Sequence, residues 1–142
     1  TYQLTSALRY LDFGKHVAII TDARFSGVST GACIGHVGPE ALADGPIGKV
    51  HDGDLIQIVV DRNTLEGTLD LIGDGDREFS PAEGAALLAT RQPQMSLKPD
   101  ADLPDDTKLW ALLQKLGGGT WGGCVYDVDA IESALSKSAL SN

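Results

Sequence analysis

The feature that most constrains the fold is the brevity of the apolar runs and the turn residues that interrupt them. Residues 55–60 (LIQIVV) lie between the turns 52–54 (DGD) and 61–63 (DRN) and give the strongest strand signal, because a short β-branched run bounded by turn residues is typical of a strand. Residues 68–72 alternate and are predicted to pair with this run, so that 50–72 holds two or three antiparallel strands. Residues 16–20 (HVAII) predict an earlier, buried strand.

Helical signals dominate the second half of the chain. Ser80 and Glu83 have the spacing of a capping box, with a proline first in the helix, which predicts a helix over 81–91. Asp105 or Asp106 is expected to cap the next helix, which the glycines at 117–119 end. An aspartate at 127 or 129 is predicted to open a last helix.

Two shorter helical segments are predicted in the first half. The spacing of apolar residues over 2–13 predicts an amphipathic helix that Gly14 stops. Residues 39–43 predict a helical turn with Pro39 at its first position.

Strands thus precede helices, without the βαβ alternation of a doubly wound sheet. The sequence predicts a mixed α/β fold around a small sheet or an open barrel, with residues 92–104 as an extended connector that holds three prolines. A chain of 142 residues suits a single domain over 1–142.

Composition excludes several classes of function. The net charge of −9 repels phosphate backbones, so nucleic acid is not an expected partner. No run approaches the ~20 apolar residues that span a membrane, and the N-terminal residues lack the pattern of a signal peptide. Cys33 and Cys124 are predicted to be reduced, as in cytoplasmic proteins, and two cysteines alone hold neither an iron–sulfur cluster nor a four-cysteine zinc site.

The first candidate site directly follows the predicted strand at 16–20. Residues 21–27 (TDARFSG) form a polar loop, and a Ser26-Gly27 turn directs a hydroxyl and backbone N–H groups outward, where they can bind an oxyanion. The alternative is a connecting turn in which Asp22 and Arg24 form a salt bridge.

The second candidate site extends the same loop. Ser29, Thr30 and the N–H groups near Gly31 could hold an anion, and His36 is a ligand, a proton donor or a hydrogen-bonded structural residue. The P-loop string and the G-x-S-x-G string are both absent. The three histidines lack metal-ligand spacing, so no metal site is predicted.

The third candidate is the glycine-rich segment 117–124 around Trp121. It could close over a site or against a partner domain. The alternative is a flexible loop between two helices, in which Cys124 is a small packed residue rather than a nucleophile.

The motifs, in order and spacing, resemble the C-terminal domain of the dihydroxy-acid dehydratase / phosphogluconate dehydratase family. They are TDARFSG at 21–27, GHVGPEA at 35–41, GPI at 45–47 and DGD at 52–54. This sequence has Ala23 where the family usually has Gly, and Gly38 where it often has Ser. Three features look most like the sugar-acid branch, especially the xylonate dehydratases: Ala23, the run Tyr2–Lys15 and the tail TWGGC at 120–124.

The resemblance implies a fold and an activity. The fold would be a swivelling β/β/α domain with a β-barrel-like core and flanking helices that covers the active site. The reaction would remove water from a 2,3-dihydroxy sugar acid to give a 2-keto-3-deoxy acid. Ser26 would be the base that takes the C2 proton, Gly27, Ser29, Thr30 and His36 would contact the substrate, and Asp22 and Arg24 would support the loop.

The resemblance also implies cofactors and partners. An iron–sulfur cluster and Mg²⁺ would be held by an N-terminal domain that this chain lacks, so neither is expected to bind the 142 residues alone. The cluster iron would take the 3-hydroxyl as a Lewis acid. The whole enzyme would be a cytoplasmic homo-oligomer. Two other interpretations stay open, a stand-alone module that binds an anionic ligand and a structural interaction domain.

Overall fold

The computed structural model describes residues 2–27 and 31–139. The chain divides into two compact units, unit 1 over Thr1–Leu97 and unit 2 over Lys98–Asn142, and each is described by itself. The single domain over 1–142 stays a prediction.

Unit 1 contains two small sheets. Strand β1 (Ile19–Ile20) pairs in parallel with β2 (Cys33–Ile34), and β3 (Leu55–Asp61) pairs antiparallel with β4 (Glu66–Gly73). The mixed α/β class is confirmed. No closed barrel forms among residues 2–27 and 31–139, where each sheet has two strands.

The strand predicted over 16–20 is shorter in the structure. Residues Gly14–His16 form a 3₁₀ turn, and the Val17 N–H donates to the Gly14 carbonyl at 3.2 Å, so extended pairing starts only at Ile19. Strand β2 was not predicted, because two residues inside a Gly- and Ser-rich stretch display no period.

The hairpin of β3 and β4 confirms the antiparallel pairing predicted within 50–72, with two strands. Asp61 shapes its turn, because the Asp61 carboxylate accepts hydrogen bonds from the backbone N–H groups of Asn63 (2.7 Å) and Thr64 (3.2 Å). Strand β4 begins at Glu66, two residues before the predicted alternation.

The first helix, α1 (Tyr2–Leu8), is shorter than predicted. Gly14 does not stop it. Instead Gly14 is buried, and a Cβ at this position would overlap the Leu8 carbonyl oxygen, so the glycine allows the chain to pass close to the end of α1. Thr5 and Leu8 are buried on the inner face of this helix.

The turn predicted over 39–43 exists, but Pro39 is not its first residue. The 3₁₀ turn spans Ala41–Ala43, and Glu40 precedes it with extended backbone angles (φ −65°, ψ 157°). A second 3₁₀ turn, Pro46–Lys49, follows directly and begins with a proline.

Helix α2 (Pro81–Thr90) confirms the helix predicted over 81–91. Both bonds of the capping box form, because the Ser80 side chain accepts from the Glu83 N–H and the Glu83 carboxylate accepts from the Ser80 N–H. The hydrogen bond that the Glu83 carboxylate accepts from the Ser80 N–H is the largest cause of the lowered pKa of Glu83. Helix α2 contacts β4, and Gly84 is buried where the two meet.

Gly84→Ala is expected to destabilise unit 1. The added Cβ would overlap the Leu71 carbonyl oxygen of β4, and forcing atoms into a packed contact costs about 1–3 kcal/mol, more than the helix propensity gained. Urea unfolding measures the free energy of unfolding. The matched control is Gly67→Ala, where the nearest atom, the Val59 carbonyl oxygen, lies 3.3 Å from the added Cβ. Equal stability of the two variants would contradict the close packing of α2 on β4.

Unit 2 contains two helices that contact each other. They are α3 (Asp105–Leu116) and α4 (Val128–Ala139). Pro104, not an aspartate, occupies the cap position of α3, and Asp105 and Asp106 lie inside its first turn, where the helix dipole favours carboxylates. Asp127 opens α4 as predicted, since its carboxylate accepts from the Ala130 N–H at 2.9 Å.

Candidate active-site loop

The candidate site is the loop of residues 21–27, which begins where β1 ends. Thr21 continues the pairing beyond β1, because its N–H donates to the Ile34 carbonyl at 3.0 Å and its carbonyl accepts from the Val37 N–H at 3.2 Å. The Thr21 hydroxyl accepts from the Ala23 N–H at 3.1 Å. This local bond turns the chain away from the strand, so the loop has a defined start.

Asp22 connects the loop to the 3₁₀ turn at Ala41–Ala43. Its carboxylate accepts a hydrogen bond from the Ala41 N–H at 2.8 Å, in a partly buried position. A carboxylate at a helical N-terminus satisfies an N–H that lacks an internal partner. The bond crosses 19 residues of sequence and supports the predicted loop-holding role of Asp22, which stays a prediction.

The loop also contacts the segment that contains His36. The His36 N–H donates to the Ala23 carbonyl at 3.0 Å. The Phe25 ring lies over Gly35, where an added Cβ would be 3.0 Å from the ring. Only a residue without a side chain fits this close approach comfortably. The exposed His36 has a φ of 55°, and strained backbone of this kind often marks functional segments.

Ser26 and Arg24 share one open depression with Phe25. Ser26 is exposed, and Gly27 follows with a φ of 86°, which favours glycine and bends the chain directly after the serine. A residue with a cationic side chain and a residue with a hydroxyl therefore border the same depression, and side chains of these types can bind an acidic ligand and stabilise negative charge on an oxygen.

The predicted substrate contacts divide into two groups. Gly27 and His36 lie on the two segments that the Ala23–His36 bond and the Phe25–Gly35 contact hold together. Ser29 and Thr30 lie outside the described residues. The roles of all four in substrate binding stay predictions.

The third predicted segment, 117–124, lies in unit 2. Backbone bonds shape it, among them Gly119 N–H to Gln114 O and Cys124 N–H to Gly119 O, both 2.9 Å. Gly118, Gly119 and Gly123 have positive φ, and Trp121 is exposed. Closure of this segment over a site or against a partner domain stays a prediction.

The prediction from sequence missed one buried ion pair. Arg91, after α2, donates Nη1 to Asp54 Oδ2 and Nη2 to Asp54 Oδ1 (2.9 Å), and the two side chains are 13% and 3% exposed. The hydrogen bonds from the Arg91 side chain are the largest cause of the lowered pKa of Asp54. Arg91 Nη1 also donates to the Lys49 carbonyl at 3.3 Å.

The ion pair fixes the part of unit 1 that precedes β3. Lys49 ends the second 3₁₀ turn and pairs with Asp44 at 3.0 Å. Asp54 lies in the DGD turn, which the sequence analysis identified as a turn. The sequence around Asp54 does not indicate Arg91 as its partner, because the two residues are 37 positions apart.

Metal-ligating side chains do not cluster in the described part of the chain. Within 2–27 and 31–139, no group of three or more His, Cys, Asp or Glu side chains is placed to hold a metal ion. These residues therefore do not fit a divalent metal or a cluster on their own. None of the helices described above is both long and apolar enough to cross a membrane.

Most of the chain is similar in sequence to known proteins. The model of the dihydroxy-acid/6-phosphogluconate dehydratase C-terminal domain matches residues 1–97. D-xylonate dehydratase YjhG of Escherichia coli strain K12 is 59% identical over 137 residues, which are 95% of this chain and 21% of the relative. D-xylonate dehydratase YagF of the same strain is 61% identical over 142 residues, 99% of this chain and 22% of the relative.

A more distant relative is dihydroxy-acid dehydratase 2 of Bradyrhizobium diazoefficiens, 38% identical over 130 residues, which are 92% of this chain and 20% of the relative. The chain thus spans about a fifth of the length of the curated relatives it matches. No solved structure matches.

Proposed function

Because the chain belongs to the dihydroxy-acid/6-phosphogluconate dehydratase family as a C-terminal domain, we propose that it forms part of a hydro-lyase that acts on a sugar acid. The enzyme would convert a xylonate-like 2,3-dihydroxy acid to a 2-keto-3-deoxy acid. Two relatives about 60% identical are named D-xylonate dehydratases, which supports this substrate class.

The observation that carries the proposal is the loop of residues 21–27. Ser26 is exposed beside Arg24 in an open depression, on a loop that Asp22 fastens through the Ala41 N–H. In the proposed reaction Ser26 Oγ, as the alkoxide, takes the proton from C2. The bond between C3 and its hydroxyl breaks, and the leaving hydroxide takes up one proton to become water while Ser26 Oγ–H releases one, which restores the alkoxide. The enol then becomes the ketone as its hydroxyl loses a proton and C3 gains one.

Positive charge near Ser26 is necessary for this role. A serine hydroxyl is a weak base and acts as an alkoxide only where a nearby cation stabilises it. Arginine side chains carry a positive charge, and Arg24 borders the same depression as Ser26. Arg24 would therefore favour the anionic forms of Ser26 and of the substrate carboxylate, in addition to its role as a support of the loop.

The described part of this chain does not fit a metal ion or an iron–sulfur cluster. Its proposed contribution is therefore limited to proton transfer and substrate contact by its own residues. In the whole enzyme, Mg²⁺ and the cluster would belong to the N-terminal domain. That domain, the substrate and further copies of the enzyme would be its partners.

The motion and location of the chain are also part of the proposal. The chain would act as a swivelling β/β/α domain with a barrel-like core that covers the site formed with the N-terminal domain. Water would be excluded when the domain closes. The proposed location of the whole enzyme is the cytoplasm, where cysteines such as Cys33 and Cys124 are typically kept reduced.

Turnover by the full-length enzyme tests the proposal. Formation of a 2-keto-3-deoxy acid from xylonate, and much slower turnover of a branched 2,3-dihydroxy acid, is the expected result. Failure to dehydrate any sugar acid, with the enzyme folded and its cofactors loaded, would contradict the proposed function.

The isolated 142-residue chain is expected to hold no iron and to show no dehydratase activity. Two cysteines cannot supply the ligands of a cluster alone, and Ser26 would lack the rest of the site. Elemental analysis and a keto-acid assay of the purified chain check this, with the full-length enzyme as the positive control. Stoichiometric iron in the isolated chain, or turnover of xylonate by it, would contradict the proposal that the cofactors belong to the N-terminal domain.

A further inference from the structure

The glycine at position 45 packs against the segment that holds the Ser26 loop. Gly45 is buried, and its backbone angles (φ −65°, ψ 149°) are ones that any residue adopts. Backbone freedom therefore does not explain a glycine here. A Cβ at this position would overlap the Pro39 carbonyl oxygen and lie 2.7 Å from the Glu40 carbonyl oxygen. The missing side chain is what allows this close approach.

The peptide group between Glu40 and Ala41 is held on its carbonyl side. The Glu40 carbonyl accepts hydrogen bonds from the N–H groups of Ala43 and Gly45, both at 2.9 Å. A peptide group is planar, so these two bonds also fix the direction of the N–H at its other end. That N–H belongs to Ala41.

The same peptide group is held on its N–H side by the loop. The Ala41 N–H donates to Asp22 Oδ2 at 2.8 Å in a partly buried position. Because the group is rigid, a rotation that weakens the carbonyl bonds also turns the N–H away from Asp22. Hydrogen bonds on both sides of one peptide also polarise each other. Gly45 and Asp22 are thus coupled through a single rigid group.

The position of Asp22 affects Ser26 because both residues belong to the loop of residues 21–27. The next residue, Ala23, accepts the His36 N–H at 3.0 Å, so the first half of the loop is fastened at two successive residues. Ser26 is exposed and depends on these attachments for its place. A misplacement of about 1 Å at a reacting group can cost roughly 100-fold in rate.

We propose that Gly45 is a positioning residue for Ser26, an inference that rests on the proposed function. Gly45 acts through the peptide group between Glu40 and Ala41, which holds Asp22 and with it the loop. Its contribution is the close approach to Pro39 and Glu40, which a side chain would prevent.

Gly45→Ala in the full-length enzyme is the first test. The added Cβ should displace residues 39–41, so kcat should fall by about 10- to 100-fold, while KM should change less than about threefold. Gly67→Ala is the matched control, because its added Cβ lies 3.3 Å from the Val59 carbonyl oxygen, and it should keep the wild-type kcat. A folded Gly45→Ala enzyme with kcat within about twofold of wild type would overturn the proposal.

Ala41→Pro breaks the same connection without a change at Gly45. Ala41 is the first residue of its 3₁₀ turn, and Glu40 before it is extended (φ −65°, ψ 157°), so proline fits the backbone and removes only the N–H. Its kcat should fall in the same range, which keeps the test decisive if Gly45→Ala does not fold. The control is Asp105→Pro, first in α3 after Pro104 (φ −58°, ψ 149°). Wild-type kcat in Ala41→Pro would contradict the proposal.

A double variant separates positioning from a general structural effect. In Asp22→Ala the bond to the Ala41 N–H is already absent, so adding Gly45→Ala or Ala41→Pro should lower kcat no further. Losses that multiply would show that these residues act independently of Asp22, and the proposal would be wrong.

Hydrogen exchange supplies a readout that does not depend on turnover. In the full-length protein the Ala41 amide should exchange at least about tenfold faster in Gly45→Ala than in wild type, because its hydrogen bond opens more often. Wild-type enzyme that dehydrates no sugar acid would contradict the proposed function. Unchanged exchange of the Ala41 amide in folded Gly45→Ala would instead overturn the positioning role of Gly45 alone.

Discussion

Ser26→Ala in the full-length enzyme should lower kcat by at least about 100-fold, since a positioned base is typically worth roughly 10²–10⁴-fold in rate. The loss should appear in kcat more than in KM, because the proton moves only in the transition state. Within TDARFSG no other side chain is a plausible base. The Asp22 carboxylate accepts a hydrogen bond from the Ala41 N–H, and an arginine guanidinium has donors but no acceptor atom.

The folded state should tolerate the same substitution. Ser26 is exposed, and replacement of such a residue changes stability by about 0.5 kcal/mol or less. Cofactor content and the melting temperature should therefore match the wild type. Ser96→Ala, an exposed serine of unit 1 away from the loop, is the matched control and should keep full activity. If Ser26→Ala keeps more than about a tenth of the wild-type kcat, His36 becomes the next candidate.

Asp54→Asn should destabilise unit 1 by about 3–5 kcal/mol, the usual cost when one partner of a buried ion pair is removed. The Arg91 side chain is 13% exposed and would keep its charge without the carboxylate that receives two of its N–H groups. The Asp105→Asn control removes an exposed pair with Lys108 and should change stability little. A loss below about 1 kcal/mol in urea unfolding would show that the Asp54–Arg91 pair does not hold the fold.

The effect of Asp54→Asn should depend on pH. Arg91 holds the pKa of Asp54 below its ordinary value in the folded chain, while the unfolded chain returns it to about 3.9. Stability from the ionised carboxylate is therefore complete above about pH 5 and is lost as the pH falls through the lowered pKa. The difference in unfolding free energy between wild type and Asp54→Asn should shrink in acid. A difference that stays constant from about pH 7 to about pH 2 would contradict this linkage.

Local signals predicted α2 well, whereas the extent of α1 and the long-range pairing were predicted poorly. The capping box of Ser80 and Glu83 is complete within four residues, so α2 was predicted almost to its ends. The parallel contact of β1 with Cys33–Ile34 depends on residues that are far apart and have no periodic pattern. Asp54 and Arg91 likewise meet only after folding, so no spacing could pair them.

The candidate site was predicted in part for the same reason. The position of TDARFSG directly after β1 followed from the apolar run before it, and the Thr21 turn is a local bond. The contacts that shape the loop, Asp22 with the Ala41 N–H and Phe25 with Gly35, join segments that sequence alone does not bring together. The proposed role of Ser26 came from the resemblance to the family, because the residue pattern alone favours a connecting turn.

The central claim is that Ser26 removes the C2 proton, and the most direct test follows that proton. The full-length enzyme is incubated in D₂O with the sugar acid it turns over, and proton NMR records the C2–H signal, which both exchange and dehydration remove. Wild type and Ser96→Ala should lose the signal at equal rates, whereas Ser26→Ala should retain it with cofactors fully loaded. Loss of the signal by Ser26→Ala at a rate within about tenfold of wild type would contradict the claim.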